Sequence, residues 1–305
     1  MDPAAAFESL WAALEADRRR TLAGFRRPAG AYRQLELEEI HASTGLAGSP
    51  LAFDEVATLV EQGIVPGGRR LAECILVADY AEAAALARVA SAAPRRQAFV
   101  RREEIVALHA HALRRTPNAR PGVWRTTTLP AFPSGMVPPP AWLIARDVTA
   151  LCDRLAAGPA DANPLLWVAN AHARFTRIQP FTAGNGRTAR LLANLLLARL
   201  GFPPLVIAAR DRERYARARV PFAGRGVPPL AVLFAHALLG STSTLVAAVR
   251  ADAALQPVAT FASGAERAAL YKAAQRRRLR TVRRGSALLT TPAWIEDYRR
   301  SRPHG

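Results

Sequence analysis

Hydrophobic side chains recur with a helical period along most of the chain. Within residues 1 to about 30 they are spaced three and four positions apart, as on one face of an amphipathic helix: Phe7, Leu10, Trp11 and Leu14. The same kind of pattern predicts helices over residues 31–40, 52–63, 70–91, 101–115, 141–157, 163–176 and 187–200. The sequence therefore predicts a mainly α-helical fold.

The pattern changes character over residues 117–140. This segment contains Trp124, three consecutive threonines at 126–128, and prolines at 130, 133, 138, 139 and 140. Threonine and aromatic residues between turn-forming residues are typical of extended structure. We predict a short β-hairpin or an extended flap here.

Length and composition bound the class of protein. The 305 residues, half of them hydrophobic, are enough for one large helical domain with its own core and a small appendage. No apolar run reaches the ~18 residues of a membrane span, and no signal peptide is evident, so we expect a cytoplasmic protein without a membrane partner. Cys74 and Cys152 have no metal-type spacing and are interpreted as reduced structural thiols.

The net charge of +18 favours a polyanionic partner. However, 41 of the 42 basic residues are arginine, and alanine, leucine, proline and glycine are abundant, which is typical of a GC-rich genome. Local clusters of charge are therefore more informative than the total.

Two glycines and two arginines stand where a predicted helix begins. Gly184 and Gly186 permit tight turns and leave backbone N–H groups uncovered, at the positive end of the helix dipole. Arg187 and Arg190 lie three residues apart and can offer forked donors to phosphate oxygens, and Asn185 adds a neutral amide. The spacing indicates an anion site; a glycine-rich helix start with solvent-facing arginines is the alternative.

The segment from Gln179 to Arg190, QPFTAGNGRTAR, resembles the Fic motif, HPFx(D/E)GNGRxxR. The positions shared with the motif are Pro180, Phe181, Gly184, Asn185, Gly186, Arg187 and Arg190. The resemblance extends over about 36–245, with residues 122–140 where that family has its target-docking hairpin. It implies a Fic (Fido) helical core with a β-hairpin flap, and AMP transfer from ATP to a hydroxyl of a target.

The motif departs from the family at two chemical positions. The family's histidine is a general base, and here it is Gln179, whose amide does not accept a proton near neutral pH. The family's acidic residue holds Mg²⁺ on the nucleotide, and here it is Ala183, which offers no oxygen. The resemblance thus leaves ATP or another nucleotide as a ligand, without Mg²⁺ and with no predicted metal site.

A third departure lies far upstream. The segment from Ser43 to Gly48 resembles the family's inhibitory motif, (S/T)xxxE(G/N), with Ala47 in place of the glutamate. In the family that glutamate pairs with the second motif arginine, which is Arg190 here. Its loss fits a protein with no AMP transfer to restrain, or a site remodelled so that Arg190 binds a different anion.

The segment 256–302 carries the densest charge, with ten basic and two acidic side chains between Arg267 and Arg300. Its predicted order of helix, basic strand, turn, strand and helix resembles the small winged helix of excisionase and MerR-type DNA-binding domains. On this resemblance the predicted DNA contacts are Arg276, Arg277, Arg278, Arg280, Arg283 and Arg284. A solvated basic tail packed on an acidic face of the same chain is the alternative.

The chain is therefore predicted to have three parts: an N-terminal helical region at 1–95, a Fic core at 96–250 and a winged-helix-like unit at 256–302. One hypothesis is a degenerate Fic domain that binds a nucleotide or phosphate ligand, joined to a DNA-binding unit. The other is a Fic-type nucleotidyltransferase acting on a protein or small-molecule hydroxyl with an altered base. An inert scaffold is a third option, and the sequence names no protein target.

Among the histidines, His109 and His111 are a poor metal pair, and His172 is expected in the core.

Overall fold

A computed structural model describes residues 3–22, 29–92, 99–132, 136–160, 162–219, 226–276, 278–279, 281–284 and 287–301. The larger part of the chain is built from helices, whose bounds are α1 (Pro3–Leu22), α2 (Ala29–Leu46), α3 (Phe53–Gln62), α4 (Leu71–Ala92), α5 (Arg102–Ala112), α6 (Ile144–Ala157), α7 (Pro164–Ile178), α8 (Asn185–Arg199), α9 (Arg212–Ala218) and α10 (Pro229–Ala253). The predicted mainly α-helical fold is thus confirmed.

Helix α8 lies at the centre of the core. Helices α4, α5 and α7 all pack against it. Its leucines are at most 1% exposed: Leu191, Leu192, Leu195, Leu196 and Leu197. A helix that is apolar on several sides has to be covered on each of them. The N-terminal end of α8, which carries the glycine-rich loop, is therefore held in place by three neighbouring helices.

Helix α10 is not among the helices predicted from the sequence. Its stretch Pro229–Val249 is long and apolar enough to cross a membrane by length and composition alone. The sequence prediction missed it because apolar side chains lie on several sides of this helix and leave no continuous polar face to mark the helical period. Leu230, Phe234 and Leu238 are buried, and the helix packs on α1 and α7, so it serves as a core helix of this fold.

The segment 117–140 takes the extended form of the two that were predicted. In its described residues, up to 132 and from 136, no strand ladder forms. The Phe132 N–H donates to the Met136 carbonyl at 2.9 Å and closes the segment on itself. Prolines lack the N–H that a ladder needs, which explains the irregular backbone.

The C-terminal segment folds as a small unit with its own core. It comprises β1 (Gln256–Pro257), α11 (Gly264–Gln275), β2 (Val282–Arg284), β3 (Ala287–Thr290) and α12 (Pro292–Arg300). The strands form an antiparallel sheet in the order β1-β3-β2, with Val282 opposite Leu289. Five side chains form the core: Val258, Leu270, Ala273, Leu279 and Ile295. This segment is a folded unit and not the basic tail of the alternative interpretation.

Candidate active site

Gln179 ends helix α7 with a left-handed backbone conformation, φ 47° and ψ 60°. Its backbone N–H donates to the Phe175 carbonyl at 3.1 Å, and its side-chain Nε2 donates to the Thr176 carbonyl at 2.6 Å. The residue is 6% exposed. The amide thus caps its own helix, and a carboxamide in this position cannot take a proton from a hydroxyl.

Phe181 anchors the loop between α7 and α8. Its ring stacks on His109 at a centroid distance of 3.5 Å and on Trp124 at 4.5 Å. The side chain is fully buried. Phe181 therefore fixes the loop between α5 and the extended segment, as a core aromatic side chain does.

Asn185 closes the loop on itself. Its Oδ1 accepts from the Phe181 N–H at 3.0 Å, and its Nδ2 donates to the Phe181 carbonyl at 2.7 Å. Both ends of the amide are thus engaged within the loop, and Asn185 positions the first turn of α8. Its predicted contact with a ligand stays a prediction.

The two glycines of the loop differ in what they require. Gly184 has φ 73°, and a Cβ there would stand 2.3 Å from Leu113 Cδ1. Gly186 lies inside α8 without a positive φ, and a Cβ there would meet only Arg190 Nη1, at 3.5 Å. The backbone turn that glycine permits is therefore found at Gly184, whereas Gly186 lies within the first turn of α8.

The start of α8 faces solvent. Thr182 and Ala183 are exposed, and the first helical hydrogen bond runs from the Thr188 N–H to the Gly184 carbonyl at 3.0 Å. The N–H groups of residues 185–187 therefore precede the first helical donor, the Thr188 N–H, and lie at the positive end of the dipole. Half-buried Arg187 stands on this first turn, and its Nη1 donates to the Ala112 carbonyl at 2.9 Å. Burial lowers the pKa of Arg187, and Arg190 adds to the effect.

Arg190 points towards helix α2. Its Nε donates to Ser43 Oγ at 3.0 Å and its Nη2 to the Ser43 carbonyl at 2.8 Å. The side chain is buried, with 5% of the residue exposed. Arg190 is thus engaged by the first residue of the inhibitory-like segment, and its predicted contact with an anion stays a prediction.

His109 holds the loop from the other side. The Gly122 N–H donates to His109 Nδ1 at 2.8 Å, so the ring proton sits on Nε2, which donates to the Ala183 carbonyl at 3.1 Å. Burial lowers the pKa of His109 to about 4, the Ala183 carbonyl opposes this, and the positive charge of Arg187 lowers it further. The sequence prediction treated this histidine only as half of a poor metal pair. Nothing in its spacing could have revealed the contact with a loop 74 residues away.

Arg125 joins the extended segment to the end of α7. Its Nε donates to the Gln179 carbonyl at 2.7 Å and its Nη2 to the Pro139 carbonyl at 2.6 Å. Its backbone N–H donates to the Pro180 carbonyl at 2.9 Å. Burial lowers the pKa of this guanidinium, which is 2% exposed. Sequence reasoning missed it; a lone arginine among threonines and prolines was the available signal.

This geometry has counterparts in known proteins. Residues 99–197 match the family model described as the Fic/DOC family. The chain contains a Fic domain. A protein adenylyltransferase Fic of Nematostella vectensis is 30% identical over 186 residues, which is 61% of this chain and 43% of that protein. A Culex quinquefasciatus protein of the same name is 27% identical over 193 residues, 61% of this chain and 36% of its own length. The chain thus matches less than half the length of these relatives.

Solved structures share the fold. Fic-1 from C. elegans superposes with a TM-score of 0.71 and 21% identity, covering 81% of this chain and 74% of that one. A Fic family protein from Desulfovibrio desulfuricans has a TM-score of 0.64 and 19% identity, covering 95% of this chain and 96% of its own. Because this match covers 95% of the chain, it includes much of the C-terminal unit, which therefore has a structural counterpart in the Desulfovibrio desulfuricans protein.

A buried carboxylate in the Fic domain was not predicted. Glu39 lies one turn before Ser43 on α2, is 4% exposed, and accepts from Ser43 Oγ at 2.8 Å and from the Tyr80 hydroxyl at 2.7 Å. Burial raises the pKa of Glu39, although these hydrogen bonds oppose the effect. Burial lowers the pKa of the Arg190 guanidinium, but Tyr215, Tyr80 and Glu39 raise it, and the net effect is a raised pKa. The inhibitory-like segment continues to Ala47 and Gly48, which are exposed.

The other candidates are placed as follows. His172 is in the core, where its Nε2 meets the Tyr215 hydroxyl at 2.9 Å and burial lowers its pKa to about 3. Within the described residues no group of three or more histidines, cysteines or acids could hold a metal ion. In the C-terminal unit Arg276 and Arg278 are exposed. Arg283 and Arg284 lie in β2, and Arg277 and Arg280 are outside the described residues.

Proposed function

We propose that this Fic domain binds a phosphate-bearing ligand, such as a nucleotide, at the start of α8 and does not transfer AMP through Gln179. The observation that carries the proposal is the contrast within one loop. Exposed Thr182 and Ala183 lead to the α8 N-terminus, where half-buried Arg187 stands, whereas the Gln179 amide donates to the Thr176 carbonyl. The loop supports anion binding and offers no proton acceptor at the position of the family's base.

The expected binding free energies favour an anion site formed by the α8 N-terminus and one arginine, Arg187. A helix N-terminus contributes about 0.3–1 kcal/mol to an exposed anion and up to ~2 kcal/mol in a partly buried site. Arg187 adds charge-assisted hydrogen bonds of about 1.5–3 kcal/mol. Ala183 cannot hold a cation on the phosphates, so binding is expected to be independent of Mg²⁺.

Thermal unfolding with ATP, ADP and inorganic phosphate, each with and without Mg²⁺, tests the proposal. A ligand that binds only the native state raises the melting temperature, and at about 100 times its Kd it adds about 2.7 kcal/mol. Arg187→Ala is expected to abolish the shift. Arg217→Ala, which changes an exposed arginine on α9, is the matched control and should keep it. Equal shifts in the two variants would contradict the proposal.

Nucleotidyl transfer is the second candidate, and the curated relatives named protein adenylyltransferase favour it. In this case another group, or a substrate that needs no base, would replace the family's histidine. Label transfer from ATP labelled in its α-phosphate, by the wild type and not by Gln179→Ala, would support this candidate. Gln179→His combined with Ala183→Asp supplies the two missing groups and serves as the positive control.

We also propose that the C-terminal unit binds DNA through its arginines. Its support is a folded core beneath exposed Arg276 and Arg278. Removing a phosphate contact lowers the slope of log affinity against log salt by roughly one. Arg276→Ala and Arg278→Ala in the full chain should each do so, measured by fluorescence anisotropy with duplex DNA. Arg217→Ala is again the control, and unchanged slopes in all three variants would refute DNA contact by these side chains.

A further inference from the structure

A cavity of about 370 Å³ is lined by Leu191, Asn194 and Ala198 of helix α8, which continue along the helix from the face that carries Arg187. Helices α2, α3, α4 and α8 all contribute to its wall. Much of the lining is small and apolar, including Ala81 and Ala84 of α4, Ile40 of α2 and Leu191 of α8. This volume is within the range of small-molecule sites, and alanine walls leave the space that a ligand body needs.

The charged side chains at the cavity largely neutralise one another. Glu36 pairs with Arg33 at 3.3 Å and with Arg88 at 3.1 Å. Glu82 pairs with Arg115 at 2.5 Å. The four lining residues Arg33, Glu36, Glu82 and Arg88 carry two positive and two negative charges and so leave neither sign in excess.

Glu39 is different from these acids. It lines the cavity, is 4% exposed, and lies within ion-pair distance of no arginine or lysine among the residues that the structure describes. Ser43, Tyr80 and Asn194 all donate to the same oxygen, Oε1. In the described part of the chain no donor reaches Oε2. A buried carboxylate with one oxygen unmatched is costly, and a cation placed beside it removes that cost.

We propose that this cavity binds a small organic cation, with an ammonium group on the Glu39 carboxylate and an apolar body against the alanines of α4. Burial raises the pKa of Glu39, the hydrogen bonds from Tyr80 and Ser43 and the charge of Arg190 oppose this, and a bound ammonium group would lower that pKa further. The site uses none of the loop residues that face the phosphate ligand. It therefore stands or falls independently of the proposed anion site.

A series of three probes of similar size isolates the charge: 2-phenylethylammonium, 2-phenylethanol and phenylacetate. Binding to the full chain is measured by ligand-observed NMR and by calorimetry. The cation is expected to bind at least tenfold more tightly than the alcohol, and the anion most weakly. Equal affinities for the cation and the alcohol would identify a neutral-ligand cavity and overturn the proposal, as would no binding of any probe.

Two variants locate the site. Glu39→Gln keeps an acceptor for Ser43 and Tyr80 but removes the charge, and it should abolish the preference for the cation. Glu38→Gln, on the same helix but outside the cavity wall, is the matched control. Ala84→Leu fills the cavity and should weaken the cation and the alcohol together by at least tenfold. A cation preference that survives in Glu39→Gln would refute the assignment, and if that variant does not fold, Ala84→Leu decides.

A third variant separates this proposal from the anion site. Arg187→Ala is expected to lose the stabilisation by phosphate and to keep the affinity for 2-phenylethylammonium. Loss of both by this one substitution would show that the two probes share a site, which contradicts the proposal.

Discussion

Substituting the two loop glycines one at a time gives opposite predicted effects on the free energy of unfolding. Gly184 has a backbone conformation that disfavours any side chain, and an added Cβ would lie 2.3 Å from Leu113 Cδ1 and 3.0 Å from its Cδ2. Leu113 is fully buried, so it cannot move aside without displacing its own neighbours. Gly186, two residues later, has neither restriction.

The magnitudes follow from these two contacts. Left-handed backbone costs an alanine about 1–2 kcal/mol, and overpacking a core costs about 1–3 kcal/mol more. Gly184→Ala should therefore destabilise the protein by about 2–5 kcal/mol, a large share of the ~5–15 kcal/mol that holds a domain together. Gly186→Ala places a better helix former in α8 and should stabilise by up to ~1 kcal/mol.

Urea unfolding of the two variants and the wild type at 25 °C measures the difference. Adding Leu113→Ala to Gly184→Ala removes the obstacle, so the double variant should be more stable than the sum of the two single changes predicts by about 1–3 kcal/mol. If both glycine variants shift stability in the same direction, or if the double variant is strictly additive, the reasoning about the loop backbone is refuted.

Three further predictions concern other parts of the site. The pKa values of His109 and His172 are lowered to about 4 and about 3, so the unfolded chain binds protons before the native state does as pH drops below about 6.5. Stability should therefore fall by roughly 1.4 kcal/mol per pH unit for each histidine. Urea unfolding at pH 7 and 5 measures this fall, and His109→Gln should remove the contribution of one histidine from it. Arg125→Met leaves several carbonyls without their donor, so it should destabilise by about 2–4 kcal/mol and speed amide hydrogen exchange in residues 123–132; unchanged exchange would count against its joining role. Ala47→Glu restores the family's inhibitory carboxylate and should weaken ATP-induced stabilisation, whereas the uncharged Ala47→Gln should not.

Local patterns predicted much of the fold. The helix expected at 187–200 is α8, Asn185–Arg199, and the one expected at 52–63 is α3, Phe53–Gln62. Helix α3 has a clear apolar stripe, and α8 is followed by glycine and proline, so the local sequence is sufficient to predict both helices. Helix α10 was missed because a helix buried on several sides has no polar face to mark its period. Prolines allowed two outcomes for the flap, and sequence alone could not choose between them.

The candidate site was predictable only where it is contiguous. The loop from Gln179 to Arg190 was found because its residues adjoin in sequence. His109 and Arg125 bind the loop directly, from 74 and 54 positions away along the chain. Glu39 reaches Arg190 through Ser43, which is 147 positions from that arginine. Each is a buried polar side chain, a feature that shows only once burial is known. The protein partners of Asn185 and Arg190 could not be predicted for the same reason, since they are set by the packing.

The two motif arginines, three residues apart on α8, thus have different environments, and α2 is the reason. A buried guanidinium needs acceptors, and Ser43 provides two that are neutral, with the charge of Glu39 one hydrogen bond further away. Because those acceptors lie on the α2 side, Arg190 is satisfied without any anion in the loop. Arg187 donates to the Ala112 carbonyl and stands closer to solvent than Arg190. An incoming phosphate would therefore meet Arg187 and the open α8 N–H groups first, while Arg190 keeps α2 in place against the loop.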